Sequence, residues 1–195
     1  KIRNEQDKTD LKNFIDSIGR FPYTDISVGV KEAVKILDAG HEDGYYPLMV
    51  VLADGNNDLN QSKSKTQEQA DVDLQKAVEQ AKAKGYPIYT IGLNADGQLN
   101  RDTLKNISEQ TNGKFFETST ADNLPSILSE IFADHLKLKI VPVNSLVANG
   151  EYQDITVQVP NSNVLEANVS MISSQPVELL LVDPAGNEVT IPSEN

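Results

Sequence analysis

Cysteine is absent from the chain, which excludes disulfides and thiolate chemistry. That absence suits a cytosolic protein or the surface of a Gram-positive bacterium better than an animal extracellular domain. Histidine occurs twice, as His41 and His135, without the partner spacing zinc needs, so both are expected at the surface. No apolar stretch approaches membrane-spanning length. Basic residues are scarce, 17 against 29 acidic, for a net charge of −12. The deficit is spread along the chain, 15 against 22 up to residue 136 and 2 against 7 beyond it. Such a balance argues against nucleic acid and favours cations or basic partners. Also missing are a Gly-x-Ser-x-Gly elbow, a Walker loop and a Gly-x-Gly-x-x-Gly turn after a strand. Nothing joins a nucleophile to a base, so the chain reads as non-enzymatic.

What is present begins with Pro47-Leu48-Met49-Val50-Val51-Leu52-Ala53-Asp54-Gly55. This unbroken apolar run predicts a parallel strand, Leu48–Ala53, covered on both faces. Ligands of open α/β sheets gather at the carboxyl ends of such strands, where Asp54 stands. Gly55 lets the backbone turn behind it, so an ordinary loop-starting Asp-Gly is the competing reading. Upstream, Ile26, Val30, Ala33, Val34 and Leu37 share one helical face, with Thr24 or Asp25 as the cap. A helix N-terminus bearing Thr24 can then face the strand end bearing Asp54.

Other elements alternate in type. Leu11, Phe14, Ile15 and Ile18 line a first helix stopped by Gly19. A polar loop runs from Asp54 to about Ala70, followed by a helix with Leu74, Ala77, Val78 and Ala81 inward and Gly85 as its stop. Strand Ile88–Leu93, helix Asp102–Thr111, strand Lys114–Thr118 and helix Asp122–Leu136 complete an α/β pattern with a mostly parallel, doubly wound sheet. From Lys137 the period changes to that of strands: Leu138–Val141, Ile155–Val159, Val164–Ile172 and Val177–Val182. Asp183-Pro184-Ala185-Gly186 turns the last into a hairpin with Glu188–Ile191. Residues 1–136 and 137–195 are therefore expected to be separate domains, the second a smaller, incomplete all-β sandwich of immunoglobulin-like character. Asn94-Ala95-Asp96-Gly97 lacks the ligand spacing of a calcium loop and reads as a turn.

Thr24-Asp25-Ile26 before a helix, then Val50-Val51-Leu52-Ala53-Asp54-Gly55, resemble the second half of a von Willebrand factor type A domain. The likeness continues through Ile88-Tyr89-Thr90-Ile91-Gly92-Leu93, through Gly113-Lys114-Phe115-Phe116-Glu117, and into the helix bearing Leu124, Ile127, Leu128, Ile131 and Phe132. It covers residues 1 to about 136. The resemblance implies a Rossmann-like fold and a metal-ion-dependent adhesion site in which Thr24 and Asp54 are ligands. Mg²⁺ (or Mn²⁺ or Ca²⁺) there would bridge to an acidic group of a protein partner. Asp25 is better placed as a helix cap than as a ligand. The family's Asp-x-Ser-x-Ser motif is absent, and Phe21-Pro22-Tyr23 stands where a glycine pair often precedes the threonine. Metal binding by this chain is accordingly expected to be weak or absent.

The resemblance also implies a central strand beside Leu48–Ala53, which this sequence does not supply. That strand is expected from outside the sequence, and the chain, starting at Lys1, reads as a piece of a larger polypeptide. An extracellular or cell-surface setting, bacterial in kind, follows from the adhesion reading, with the cytoplasm as the alternative. Two other functions stay open: an intracellular type A scaffold docking onto an ATPase assembly, as in metal chelatases, and a nucleotide-binding Rossmann-like enzyme, which the missing glycine fingerprint disfavours.

Overall fold

The computed structural model describes residues 4–19, 23–40, 42–59, 65–94, 97–141, 150–158, 169, 171 and 176–190. The chain divides into two compact units, Lys1–Leu136 and Lys137–Asn195.

In the first unit the order is α1 (Glu5–Ser17), α2 (Ile26–Ala39), β1 (Met49–Ala53), α3 (Gln67–Ala83), β2 (Ile88–Leu93), α4 (Arg101–Gln110), β3 (Phe115–Thr118) and α5 (Leu124–His135). A single 3-10 turn, Ala121–Asn123, leads into α5. The three strands form one parallel sheet in the order β1-β2-β3. Met49 pairs with Ile88 and Thr90 with Phe115. Helices α1 to α4 begin where side-chain oxygens meet orphan backbone donors. Asn4 caps α1, Asp25 caps α2 and Asn100 caps α4. A reciprocal capping box, Thr66 with Gln69, starts α3 at Gln67, a few residues before the end expected for the polar loop.

Alternation along β2 explains its position in the middle. Ile88 joins a core built from Ile26, Val30 and Val34 of α2, Leu74, Ala77 and Val78 of α3, and Leu104 and Ile107 of α4. Tyr89 and Ile91 point the other way, against Ile127 and Ile131 of α5. The Tyr89 hydroxyl donates to Asp134 at 2.9 Å. Burial, with that carboxylate beside it, pushes the phenol up to about 12.

For β1 the expectation of two covered faces is corrected. Met49, Val51 and Ala53 face the α2–α3 core, but Val50 and Leu52 are 39% and 51% exposed. Among the described residues α5 covers that side of the sheet, and its contacts there are with β2, β3 and Leu48. Among the described residues β1 pairs with β2 alone. Helix α1 has the apolar stripe expected of it, yet no residue of α1 is buried, and Phe14, Ile15 and Ile18 are exposed.

An uncharged strand with an open edge is a template for self-association. Leu52→Lys is therefore expected to lower light scattering by the concentrated chain while leaving its melting temperature nearly unchanged, since surface substitutions usually move stability by less than about 0.5 kcal/mol. A loss of stability as large as a core truncation would show that the Leu52 face is covered.

His135 keeps part of the exposure expected of it, at the end of α5. Its ring lies half-buried and edge-on to Tyr46 and Tyr89, with Nε2 at 3.2 Å from the Tyr46 carbonyl oxygen. His41 lies outside the described residues, as do Ala95 and Asp96 of the expected turn.

In the second unit, the expected strands Leu138–Val141, Ile155–Val159 and Val177–Val182 form no ladder among the described residues. The exception is one antiparallel bridge between Val182 and Glu188. That bridge closes the expected turn. Asp183 Oδ1 accepts the Ala185 and Asn187 backbone N–H groups, and Val189 N donates to Leu181 O at 2.7 Å. Ile155, Val157, Leu179 and Leu180 are all exposed. A two-stranded hairpin by itself buries too little to organise a sheet. The greater part of Val164–Ile172 lies outside the described residues.

Candidate functional site

The site is assembled at the carboxyl end of the sheet. Asp54 follows β1 directly and is exposed. Its Oδ1 accepts the Asn56 backbone N–H at 2.9 Å, and its backbone oxygen accepts the Asn100 N–H at 2.8 Å. Gly55 between them sits at φ +80, and Asn100 Cβ and Leu104 Cγ lie only 3.1 Å from where a Cβ would be. The glycine is thus required both for the left-handed turn and for the close approach of the α4 entry.

Thr24 reaches the same loop by backbone pairing. Its N–H donates to Asp58 O at 2.7 Å and its carbonyl accepts from Asp58 N at 3.0 Å. Two residues on, Ile26 N donates to Asn57 Oδ1 at 3.0 Å. The loop that starts at Asp54 is therefore stitched to the start of α2, and the two sequence-predicted residues stand on one layer of loops. Asn56 Nδ2 extends the layer to the segment after β2 through the Gln98 carbonyl, at 2.9 Å. At its far side, Arg101 forms a two-pronged pair with Glu117, which also accepts from Asn94. The guanidinium and then the Asn94 amide hold the Glu117 carboxyl below the usual range.

Asp25 acts as the expected cap: Oδ1 accepts from Ser27 N at 3.1 Å and from Ser27 Oγ at 2.5 Å. Its other oxygen was not foreseen to be engaged. Lys65 Nζ donates to Asp25 Oδ2 at 2.7 Å and to Ser27 Oγ at 3.0 Å, and stands 3.0 Å from Asp73 Oδ2. Burial pushes the Asp25 carboxyl up, but the bonds from Lys65 and Ser27 outweigh it and the net shift is downward. Lys65 is raised, first by its bond to Asp25. Asn56, Asn57, Asn100 and Lys65 were all missed in the sequence. Two asparagines directly after an Asp-Gly turn were the available signal, since such side chains bind nearby backbone.

As a donor set for a divalent cation, Thr24 and Asp54 are chemically suitable: a hydroxyl and a carboxylate, both hard oxygens. They are few. Among the described residues no group of three or more ionisable or thiol ligands could hold a metal ion. The arrangement suits at most a largely hydrated ion.

A parallel sheet with helices on both faces and loop residues gathered at its carboxyl end defines a class that the comparison with protein families names. The family model for the von Willebrand factor type A domain matches residues 1–130. The chain belongs to that family, whose domains are in general non-enzymatic protein-interaction modules. Among solved structures it is similar to an aerotolerance-related membrane protein from Bacteroides fragilis NCTC 9343 with multiple mutations to serines. Identity is 17%, covering 67% of this chain and 69% of that one, with a TM-score of 0.49. It is similar too to the conserved hypothetical protein BatB from Bacteroides thetaiotaomicron, at 15% identity, 66% and 69% coverage and a TM-score of 0.49. No curated protein matches. Among the described residues no helix is long and apolar enough to cross a membrane.

Proposed function

We propose that the chain is an adhesion-type binding module whose contact surface is the carboxyl end of its sheet, with Thr24 and Asp54 as the positions that hold Mg²⁺. The observation that carries this reading is the mutual backbone pairing of Thr24 with Asp58, four residues after Asp54. It ties a hydroxyl and a carboxylate from two distant parts of the sequence to one loop layer. When bound, the ion supplies a coordination position for an acidic group of a protein partner. Asn56, Asn57 and Gly55 set the shape of the loop, and Asp25 serves the helix rather than the ion.

A second contact, separate from the acidic ligand, belongs to this reading. The exposed Val50 and Leu52 and the open edge of β1 are where a strand from outside this sequence pairs. Residues 137–195 are a β-sandwich-like appendage, and the setting is extracellular or at a bacterial cell surface.

With two protein donors the affinity is low, a Kd of about 1 mM or weaker, at the weak end of the range for extracellular cation sites. Calorimetric titration with Mn²⁺ should show that weak binding and its loss in Asp54→Ala. Equal binding by the wild type and Asp54→Ala would remove Asp54 from the site. Micromolar affinity lost in that variant would show that more ligands converge than Thr24 and Asp54.

A further inference from the structure

At the start of α2, three oxygens from two parts of the chain converge on one point: Asp25 Oδ2 at 2.7 Å, Ser27 Oγ at 3.0 Å and Asp73 Oδ2 at 3.0 Å. A cation stands at that point, and it belongs to the chain. It is the ammonium of Lys65, one residue before the capping box that starts α3. Its three N–H donors match three acceptors, which is the full capacity of a lysine. The Lys65 side chain is 27% exposed and that of Asp25 20% exposed, so the pair is partly withdrawn from water.

We propose that Lys65 is a specificity-determining residue of the candidate site, a tethered cation that keeps Asp25 and Ser27 from serving a divalent ion. The inference rests on the reading of Thr24 and Asp54 as the ion-holding positions, because Asp25 directly follows Thr24 and Ser27 lies in the first turn of the helix that Thr24 precedes.

The physical basis is competition. A group held by a short stretch of chain presents itself at an effective concentration of about millimolar or more. A free divalent ion must displace it and also meet the cost of stripping its own water. The oxygens stand 2.7–3.0 Å from the nitrogen, whereas Ca²⁺–oxygen distances are about 2.3–2.6 Å. A contraction of a few tenths of an ångström would convert the nest from ammonium to Ca²⁺. Mg²⁺, at about 2.0–2.1 Å and with stricter octahedral demands, fits less well. With Lys65 in place, then, the Asp25, Ser27 and Asp73 oxygens are already engaged by an ammonium and are not offered to the ion held at Thr24 and Asp54.

The test is a gain of binding. Calorimetric titration with Ca²⁺ alone is expected to show at least tenfold tighter binding by Lys65→Met than by the wild type. The gain should disappear in Lys65→Met combined with Asp25→Asn, whose Ca²⁺ affinity falls back to that of the wild type. Circular dichroism establishes that the variants are folded. Should Lys65→Met not fold, Lys65→Gln, which keeps a donor for Asp25 without the charge, takes its place with the same expectation. A folded, charge-removed variant with unchanged Ca²⁺ affinity overturns the proposal, as does a gain that survives Asp25→Asn. A merely structural role for Lys65 would lower stability and leave cation affinity where it was. Failure of the Thr24–Asp54 reading is seen separately, as Mn²⁺ binding by the wild type that is indifferent to Asp54→Ala.

Discussion

Gly113→Ala is expected to destabilise the first unit by about 3 kcal/mol or more, beyond the usual range for an overpacked core. Gly113 follows α4 and precedes β3, at the point where the chain passes directly over the start of β2. A Cβ placed there falls on the Ile88 carbonyl, 2.5 Å from its carbon, and 3.1 Å from Tyr89 N. Neither neighbour is the end of a flexible side chain. Ile88 is fully buried, and its own N–H is committed to Thr111 Oγ1 at 3.0 Å, so β2 cannot retreat without breaking the sheet. The measurement is urea unfolding followed by circular dichroism, and the melting temperature should fall by on the order of 10 °C. A shift of only a degree or two would mean that the turn after α4 can move away from β2.

The second large effect is expected for Leu104→Ala, at about 2–5 kcal/mol. Leu104 is fully buried where α2, α3 and α4 meet the sheet. Its backbone carbonyl accepts from the buried Thr90 hydroxyl at 2.9 Å, which fixes α4 against β2 and prevents collapse into the space left by the side chain. Leu104 also packs within 3.1 Å of the position a Cβ would take at Gly55, so the cavity opens beneath the Asp54 turn. Loss of stability and a weakened response to Mn²⁺ should therefore appear together. Full stability in Leu104→Ala would show that α4 slides to fill the gap.

How much of this was legible in the residues varied with the distance over which each interaction acts. Ile88–Leu93 and Met49–Ala53 were readable as strands because continuous apolar residues bounded by Pro, Asp and Gly act locally. The helices were readable because Val30 and Val34, or Leu74 and Val78, repeat with the helical period. Their starts were less so. Gln67 begins α3 through the Thr66–Gln69 box, which lies inside a stretch that composition alone marks as loop. For the candidate site, Thr24 and Asp54 were identified by residue type, order and family likeness. Asn57 and Lys65 were not, since each acts across more than thirty residues, on Ile26 and Asp25.

The sequence by itself determined the alternating α/β order, the acid and glycine at the carboxyl end of β1, the absence of cysteine chemistry and the acidic charge. These follow from side-chain size, polarity and local backbone preference, which do not depend on what lies opposite. Tertiary structure decided which faces are covered. Val50 and Leu52 are as apolar as Tyr89 and Ile91, but the α5 layer reaches only the latter pair. It also decided that the cation beside Asp25 is the ammonium of Lys65. Burial and ion pairing are properties of position in space, and a chain reveals them only once it has folded back on itself.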